Sequence, residues 1–121
     1  MNLILNPQAE APIYSQIYSQ ISQQIITGVL PSGTKLPSIR QIANEMRISV
    51  IPVKMAWEEL DKNGFIKTIT GNGTFVNELQ KSELQDKANT KAEQLVQKMC
   101  KEAKELNISS EALIDLIKKI Y

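Results

Sequence analysis

Four cations stand close together in the middle of this chain. Lys35, Arg40, Arg47 and Lys54 fall in a stretch whose only acid is Glu45, although the whole chain carries a net charge of only +1. Cations gathered on an otherwise neutral molecule are suited to neutralising phosphates. Reaction chemistry has much less to work with. There is no histidine, which removes the commonest general base and the commonest metal ligand. A single cysteine, Cys100, excludes an internal disulfide, fits a reducing compartment and gives no basis for a zinc or iron–sulfur site. No nucleophile–base pair and no phosphate-cradling glycine-rich loop is present. The residues therefore point to binding and away from catalysis, with no cofactor and no metal.

The cations are mounted on a stretch, Leu36 to Val76, that reads as helix, turn, helix and wing. Pro37 marks a start and Ser38 is suited to cap the first helix. Ile39, Ile42, Ala43 and Met46 give that helix one apolar face. A four-residue turn around Arg47 and Ile48 follows, with Ser49 as the next capping residue. The second helix runs from Val50 to about Asn63. Pro52 is tolerated in its first turn, and Val53, Ala56, Trp57 and Leu60 form an inward stripe, leaving Lys54 off it. Asn63-Gly64 stops it. Phe65, Ile66 and Ile69 begin a strand, Gly71-Asn72-Gly73 reverses it, and Thr74 to Val76 returns. Two helices joined at a short turn leave the second one proud of the body, able to enter a major groove. Arg40 lies on the polar side of the first helix, placed to fork onto guanine or phosphate. Glycine at the wing lets backbone approach a phosphate closely.

The remaining elements position that unit. Met1 to Ala11 reads as an arm; its apolar start, Met1 to Leu5, is too short for a signal peptide and lacks the basic start of one. From Pro12, Ile13, Ile17, Ile21 and Ile25 recur every fourth residue, with Tyr14 and Tyr18 beside them and Ser15, Gln16, Ser19, Gln20, Ser22 and Gln23 opposite. The two tyrosines read as packing residues or as a ligand contact. Gly28 ends this helix, and Thr34-Lys35-Leu36 is placed to add a strand to the wing. Glu78 to Leu106 holds no Gly or Pro and repeats Leu84, Ala88, Ala92, Leu95, Met99, Ala103 and Leu106 at three- and four-residue steps. Asn107 breaks it, Ser109 caps a last helix, and Leu113, Leu116, Ile117 and Ile120 form its stripe. Two helices of that size close no core of their own. Their stripes must meet the head or a second copy, and the alanine-rich seam favours a second copy. The tail carries eight Lys and eight acids, so it is not expected to drive binding to a polyanion. The fold expected is mainly α with a small β-wing. A winged helix-turn-helix domain spans 1–77, with its arm over 1–11, and a two-helix dimerisation tail spans 78–121.

Several pieces together resemble the winged-helix domain of GntR-type bacterial transcription regulators. They are Pro12-Ile13-Tyr14, Gly28-Val29-Leu30, Gly33, Leu36-Pro37-Ser38-Ile39-Arg40, Ala56-Trp57-Glu58-Glu59-Leu60, Gly64-Phe65-Ile66 and Gly71 to Val76. The short tail is similar to the YtrA-like branch. The resemblance implies a repressor that binds double-stranded DNA, a palindromic operator, as a homodimer in the cytoplasm, and transporter genes as targets. Carried onto this sequence, the DNA-contacting residues would be Ser38, Arg40, Arg47, Ser49, Val50, Ile51, Pro52, Lys54, Thr70, Gly71, Asn72 and Gly73.

The sequence departs from the family where its members often carry Arg, Asn and Thr; here stand Val50, Ile51 and Pro52. Outward-facing, these would pack against thymine methyl groups rather than form bidentate bonds; the alternative is that Val50 or Ile51 packs inward. Arg47 stands where the family has a turn glycine, a cost of roughly 1 kcal/mol if the backbone is left-handed there. Larger family members carry a ligand-binding domain, and this tail looks too small for one. A small-molecule effector between two tails, with Cys100 as a thiol sensor, is one reading; Cys100 as a small core hydrophobe is the other. A winged-helix module that binds protein instead of DNA remains the functional alternative. No run of 18 apolar residues exists, so no membrane partner is expected.

Overall fold

The computed structural model describes all 121 residues. Its elements are α1 (Ile13–Ile26), α2 (Ile39–Met46), α3 (Val50–Lys62), β1 (Ile66–Ile69), β2 (Gly73–Val76), α4 (Lys81–Glu105) and α5 (Ser110–Ile120). The chain divides into two units, Met1–Gln80 and Lys81–Tyr121. The architecture is mainly helical with a small antiparallel wing.

In the first unit α1 packs chiefly on α3. Ile17, Ile21 and Ile25 of α1 meet the stripe Val53, Ala56, Trp57 and Leu60 of α3, with Ile42 and Ala43 from α2 and Phe65, Ile66 and Val76 from the hairpin. Helices this short are marginal alone; each buried Leu, Ile, Val or Phe contributes about 1.5–3 kcal/mol. One polar residue expected outside is inside: Ser22 is fully buried. It sits beside Ile21 on a face widened by the 3.6-residue period. Its hydroxyl donates to the Tyr18 carbonyl at 2.6 Å, so no partner is missing. Tyr18 packs edge-on against Phe65 with ring centroids 6.1 Å apart, and its hydroxyl accepts from the Asn63 amide at 3.1 Å. Burial raises its pKa, the Asn63 bond opposes this and Glu59 adds to it.

Sharp reversals at helix ends let these elements cover one another. The Ser38 hydroxyl accepts the Gln41 N–H at 3.0 Å and starts α2. Arg47 ends α2 in the left-handed region, φ 56° and ψ 46°. The Ile48 N–H then reaches the Ala43 carbonyl at 3.0 Å and the Arg47 N–H that of Asn44 at 3.3 Å, the two bonds of a Schellman motif. The turn is three residues, Arg47 to Ser49, one fewer than expected, because this motif needs only one left-handed residue. Gly64 closes α3 in the same manner, with Phe65 N–H to Leu60 O at 2.9 Å. Asn107, φ 57°, closes α4, with Ile108 N–H to Ala103 O at 3.0 Å. Ser49 occupies the capping position of α3, but its hydroxyl makes no capping bond.

The hairpin pairs Ile66 with Val76, Lys67 with Phe75, Thr68 with Thr74 and Ile69 with Gly73. The reversal is therefore Thr70-Gly71-Asn72, with Gly73 already paired. The segment before α2 adds a third, partial strand, as its position allowed: Lys35 bridges Phe75, and Leu36 N–H reaches Thr74 O at 2.8 Å.

The N-terminal arm, opaque in the sequence, is held by a ladder of glutamines on α1. Gln20 exchanges two bonds with the backbone of Ile4, at 2.8 and 2.6 Å. Gln16 does the same with Asn6, at 2.8 and 2.9 Å, and Gln24 donates to Asn2 O at 2.7 Å. Four residues of helix rise about 6 Å and two residues of extended chain about 6.6 Å, so alternate arm residues meet successive turns of α1.

In the second unit α4 begins at Lys81, three residues after the expected Glu78, and the Ser109 hydroxyl caps α5 by accepting the Ala112 N–H at 3.1 Å. Ala92, Leu95, Leu116, Ile117 and Ile120 of the expected seam are exposed, Leu95 by 69% and Ile120 by 79%, while Leu84, Ala88, Met99 and Leu113 are half-buried. Ala103 is buried within the chain, at the reversal its carbonyl anchors. Cys100 is half-buried.

Two outcomes test this account. Arg47→Gly should raise the unfolding free energy by about 1 kcal/mol, since glycine adopts the left-handed region without a Cβ clash; a urea midpoint that stays or falls would show the turn held by the arginine side chain. Gln20→Ala should speed hydrogen exchange at the Ile4 amide while core amides keep their protection. Unchanged exchange there would mean the arm is fixed otherwise.

Candidate nucleic-acid interface

The residues proposed from the sequence lie mainly around the starts of α2 and α3 and at the wing. Arg40 is the second residue of α2, as Ser38 in the capping position requires. A groove runs between that start and the hairpin, and brings together Lys35, Ser38, Arg40, Trp57 and Asn72. A second groove lies between α3 and the hairpin, with Lys54, Trp57, Glu58, Asp61, Thr68 and Thr74 on its walls. Ile39, Trp57 and Thr74 line both, so the grooves adjoin and place Arg40 and Lys54 on one continuous surface.

Each side chain has a physical reason for its position. Arg40, Arg47 and Lys54 are exposed. Lys54 lies one residue past the buried Val53 and two before the buried Ala56, which turns it off the inward stripe. Ser38 is exposed, but its hydroxyl is engaged as the α2 cap. Ser49 is exposed with its hydroxyl not used in capping, leaving it available to a phosphate oxygen. Val50 is 45% exposed and Ile51 65% exposed, so the inward alternative for these two does not hold. Pro52 is half-buried. Met55, which the sequence reading passed over, is 41% exposed. Its spacing of four from Ile51 was the signal available.

Trp57 is the wall between the grooves. It is 5% exposed, and its indole N–H has no hydrogen-bond partner. Lys35 was read as one of the central cations; its place beside the hairpin puts it in the first groove. Charge is uneven along the surface. The groove at the start of α2 carries two cations and no acid, whereas Glu58 and Asp61 accompany Lys54 in the other. No group of three or more His, Cys, Asp or Glu could hold a metal ion.

At the wing tip Thr70, Gly71 and Asn72 are exposed. The two glycines differ. Gly71, φ +82°, faces open space, so its bare backbone is approachable. At Gly73, φ +121°, a Cβ would lie 2.9 Å from Lys35 Cε; the room is taken by a side chain of the same molecule. Gly73→Ala should cost about 1–3 kcal/mol, the range for a non-glycine residue in a sparsely populated backbone region. Adding Lys35→Ala should recover little of it in chemical denaturation, because the flexible lysine can move and the backbone cannot. Full recovery would place the cost in the contact instead.

The family model of the bacterial regulatory proteins of the gntR family matches residues 13–76, from the start of α1 to the end of β2. The transcriptional repressor YtrA of Bacillus subtilis is 30% identical over 116 residues, covering 96% of this chain and 89% of that protein. A solved GntR family transcriptional regulator from Listeria monocytogenes superposes with a TM-score of 0.77 at 31% identity, covering 94% of this chain and 99% of that one. The DNA-binding domain of AraR, solved in complex with its operator ORR3, superposes with a TM-score of 0.52 at 25% identity, covering 63% of this chain and 92% of that one. Those relatives are regulators and not enzymes, and no helix here is long and apolar enough to cross a membrane. A helix-turn-helix with a wing, cations on its exposed side and a short helical tail thus agree with the comparisons: the chain belongs to the GntR family of bacterial transcription regulators and resembles its short YtrA-like members.

Proposed function

We propose that this regulator is a repressor that binds a palindromic operator as a homodimer in the cytoplasm, with the head contacting DNA and the tail joining two copies. The observation that carries the reading is the outward face of α3. Lys54 is exposed on it, Arg40 and Asn72 line the adjoining groove, Thr70 and Gly71 are exposed at the wing tip, and Arg47 sits at the turn before it. The first residues of α3 would meet base edges in the major groove. Arg40, Arg47, Lys54 and Ser49 would hold phosphates and fix register, and Gly71 at the wing tip would lie near the backbone.

The homodimer is supported by the tail. Its unit has 41 residues, below the size at which a single core is stable, and Leu95, Leu116, Ile117 and Ile120 stay exposed. Covered by the same residues of a second copy about a twofold axis, they would form a self-complementary interface. Two heads so joined read two half-sites at a fixed spacing. Control of transporter genes and an effector between paired tails are suggested only by the YtrA-like resemblance and by the size of the tail.

Sedimentation at micromolar concentration should show a dimer, and Leu95→Asp with Ile117→Asp should leave monomers in which the head, Met1–Gln80, stays folded. Binding to duplexes should weaken steeply with salt, and Lys54→Ala should reduce the magnitude of the salt slope by about 1. A monomer in the wild type removes the homodimer. Salt-independent or absent binding removes the DNA reading in favour of a protein-binding module.

A further inference from the structure

We propose that Val50, Ile51 and Met55 read thymine methyl groups in the major groove, so that the position of T, more than hydrogen bonds to guanine or adenine, specifies each half-site. The proposal rests on α3 being the DNA-reading helix. It deepens that reading by naming Met55 and the chemistry read.

The start of α3 has almost nothing with which to address bases through hydrogen bonds. Residues 50 to 53 are Val, Ile, Pro and Val, and Pro52 lacks even a backbone N–H. The outward side chains are nevertheless large and apolar: Ile51 is 65%, Val50 45% and Met55 41% exposed. The helix already has its buried stripe in Val53, Ala56, Trp57 and Leu60, so this second apolar face is not required by the core. Ile51 and Met55 are one turn apart, with Lys54 between them. Four residues advance about 6 Å along a helix, against about 3.4 Å per base pair. The two side chains therefore reach methyl groups about two base-pair steps apart.

Charge decides what covers this face. Between Glu45 and Glu58 there is no acid, while Arg47 and Lys54 flank the apolar residues and Arg40 lies on the adjoining surface. The cations border the start of the patch, around Val50 and Ile51, while Glu58 lies one turn beyond Met55; that cation-bordered start is complementary to a groove that offers methyl groups between two rows of phosphates. A methyl group buried at roughly 0.8 kcal/mol corresponds to about a fourfold change in affinity. A bidentate base contact is worth far more. The sites read here should therefore be T-rich and tolerant of single changes.

The experiment uses the full-length protein and duplexes selected with it from a random library. In the best duplex each T is replaced singly by U, which removes the methyl and keeps the pairing. Wild type should lose about fourfold at one or two positions in each half-site. Ile51→Ala or Met55→Ala, on exposed positions and with unchanged melting, should lose that dependence at one of them. Lys54→Ala should weaken T and U duplexes alike. If selected duplexes bind with a steep salt dependence but no T-to-U exchange matters, methyl reading is overturned while DNA binding stands. If no duplex is selected, the DNA reading itself falls.

Discussion

The head depends on reversing the chain within three residues of a helix end. An apolar stripe on a short helix is worth burying only if the next helix can lie across it at once. Here the reversal is made by one residue with left-handed backbone, after which a backbone N–H returns to the carbonyl five residues earlier. In the head Arg47 and Gly64 fill that position, and Asn107 fills it again in the tail. At Gly64 the residue that follows, Phe65, is buried along with Leu60, so the hydrogen bond and the apolar contact support each other. At Arg47 the same geometry carries a Cβ that the backbone disfavours, and a charged side chain stands exposed at the joint between α2 and α3.

That joint determines what faces outward. Once Ile42 and Ala43 are turned in from α2 and Val53, Ala56, Trp57 and Leu60 from α3, the three- and four-residue repeat leaves Ile51, Lys54, Met55 and Glu58 on the outer side of α3. The outer side is thus mixed: apolar at its start, cationic one turn on and acidic beyond. Its polarity changes over about 10 Å of helix, a distance comparable with a Debye length at moderate salt. The acid at Glu58 is consequently felt by Lys54, and the stronger positive surface is the groove at the start of α2.

Most of the fold was legible in the sequence because both units obey local rules. Helix periodicity, Ser38 and Ser109 as caps, and Asn63-Gly64 and Asn107 as stops each act within a few residues. Other features depended on distant partners. Ser22 looked like part of a polar face until the structure showed its hydroxyl bonded to its own helix. Gly73 looked like Gly71 until Lys35 was found beside it. The orientation of Val50 and Ile51 depends on where the helix starts, and a shift of one residue would have turned them through about 100°. The fit of Arg40 and Lys54 onto one surface depended on Trp57 and Thr74, which lie between them in space but not in sequence.

The glutamine ladder has a built-in limit. Its two repeats differ by about half an ångström per rung, and the error accumulates like the offset between the scales of a vernier. Two rungs can be made in full, and they are, at Gln16 and Gln20. At the third the mismatch has reached about an ångström, and there Gln24 makes one bond and leaves its carbonyl oxygen buried without a partner. Because the rungs grip only main chain, the clasp is indifferent to which side chains the strap carries, proline excepted. The ruler, not the wording of those residues, sets how much of the strap can be fastened.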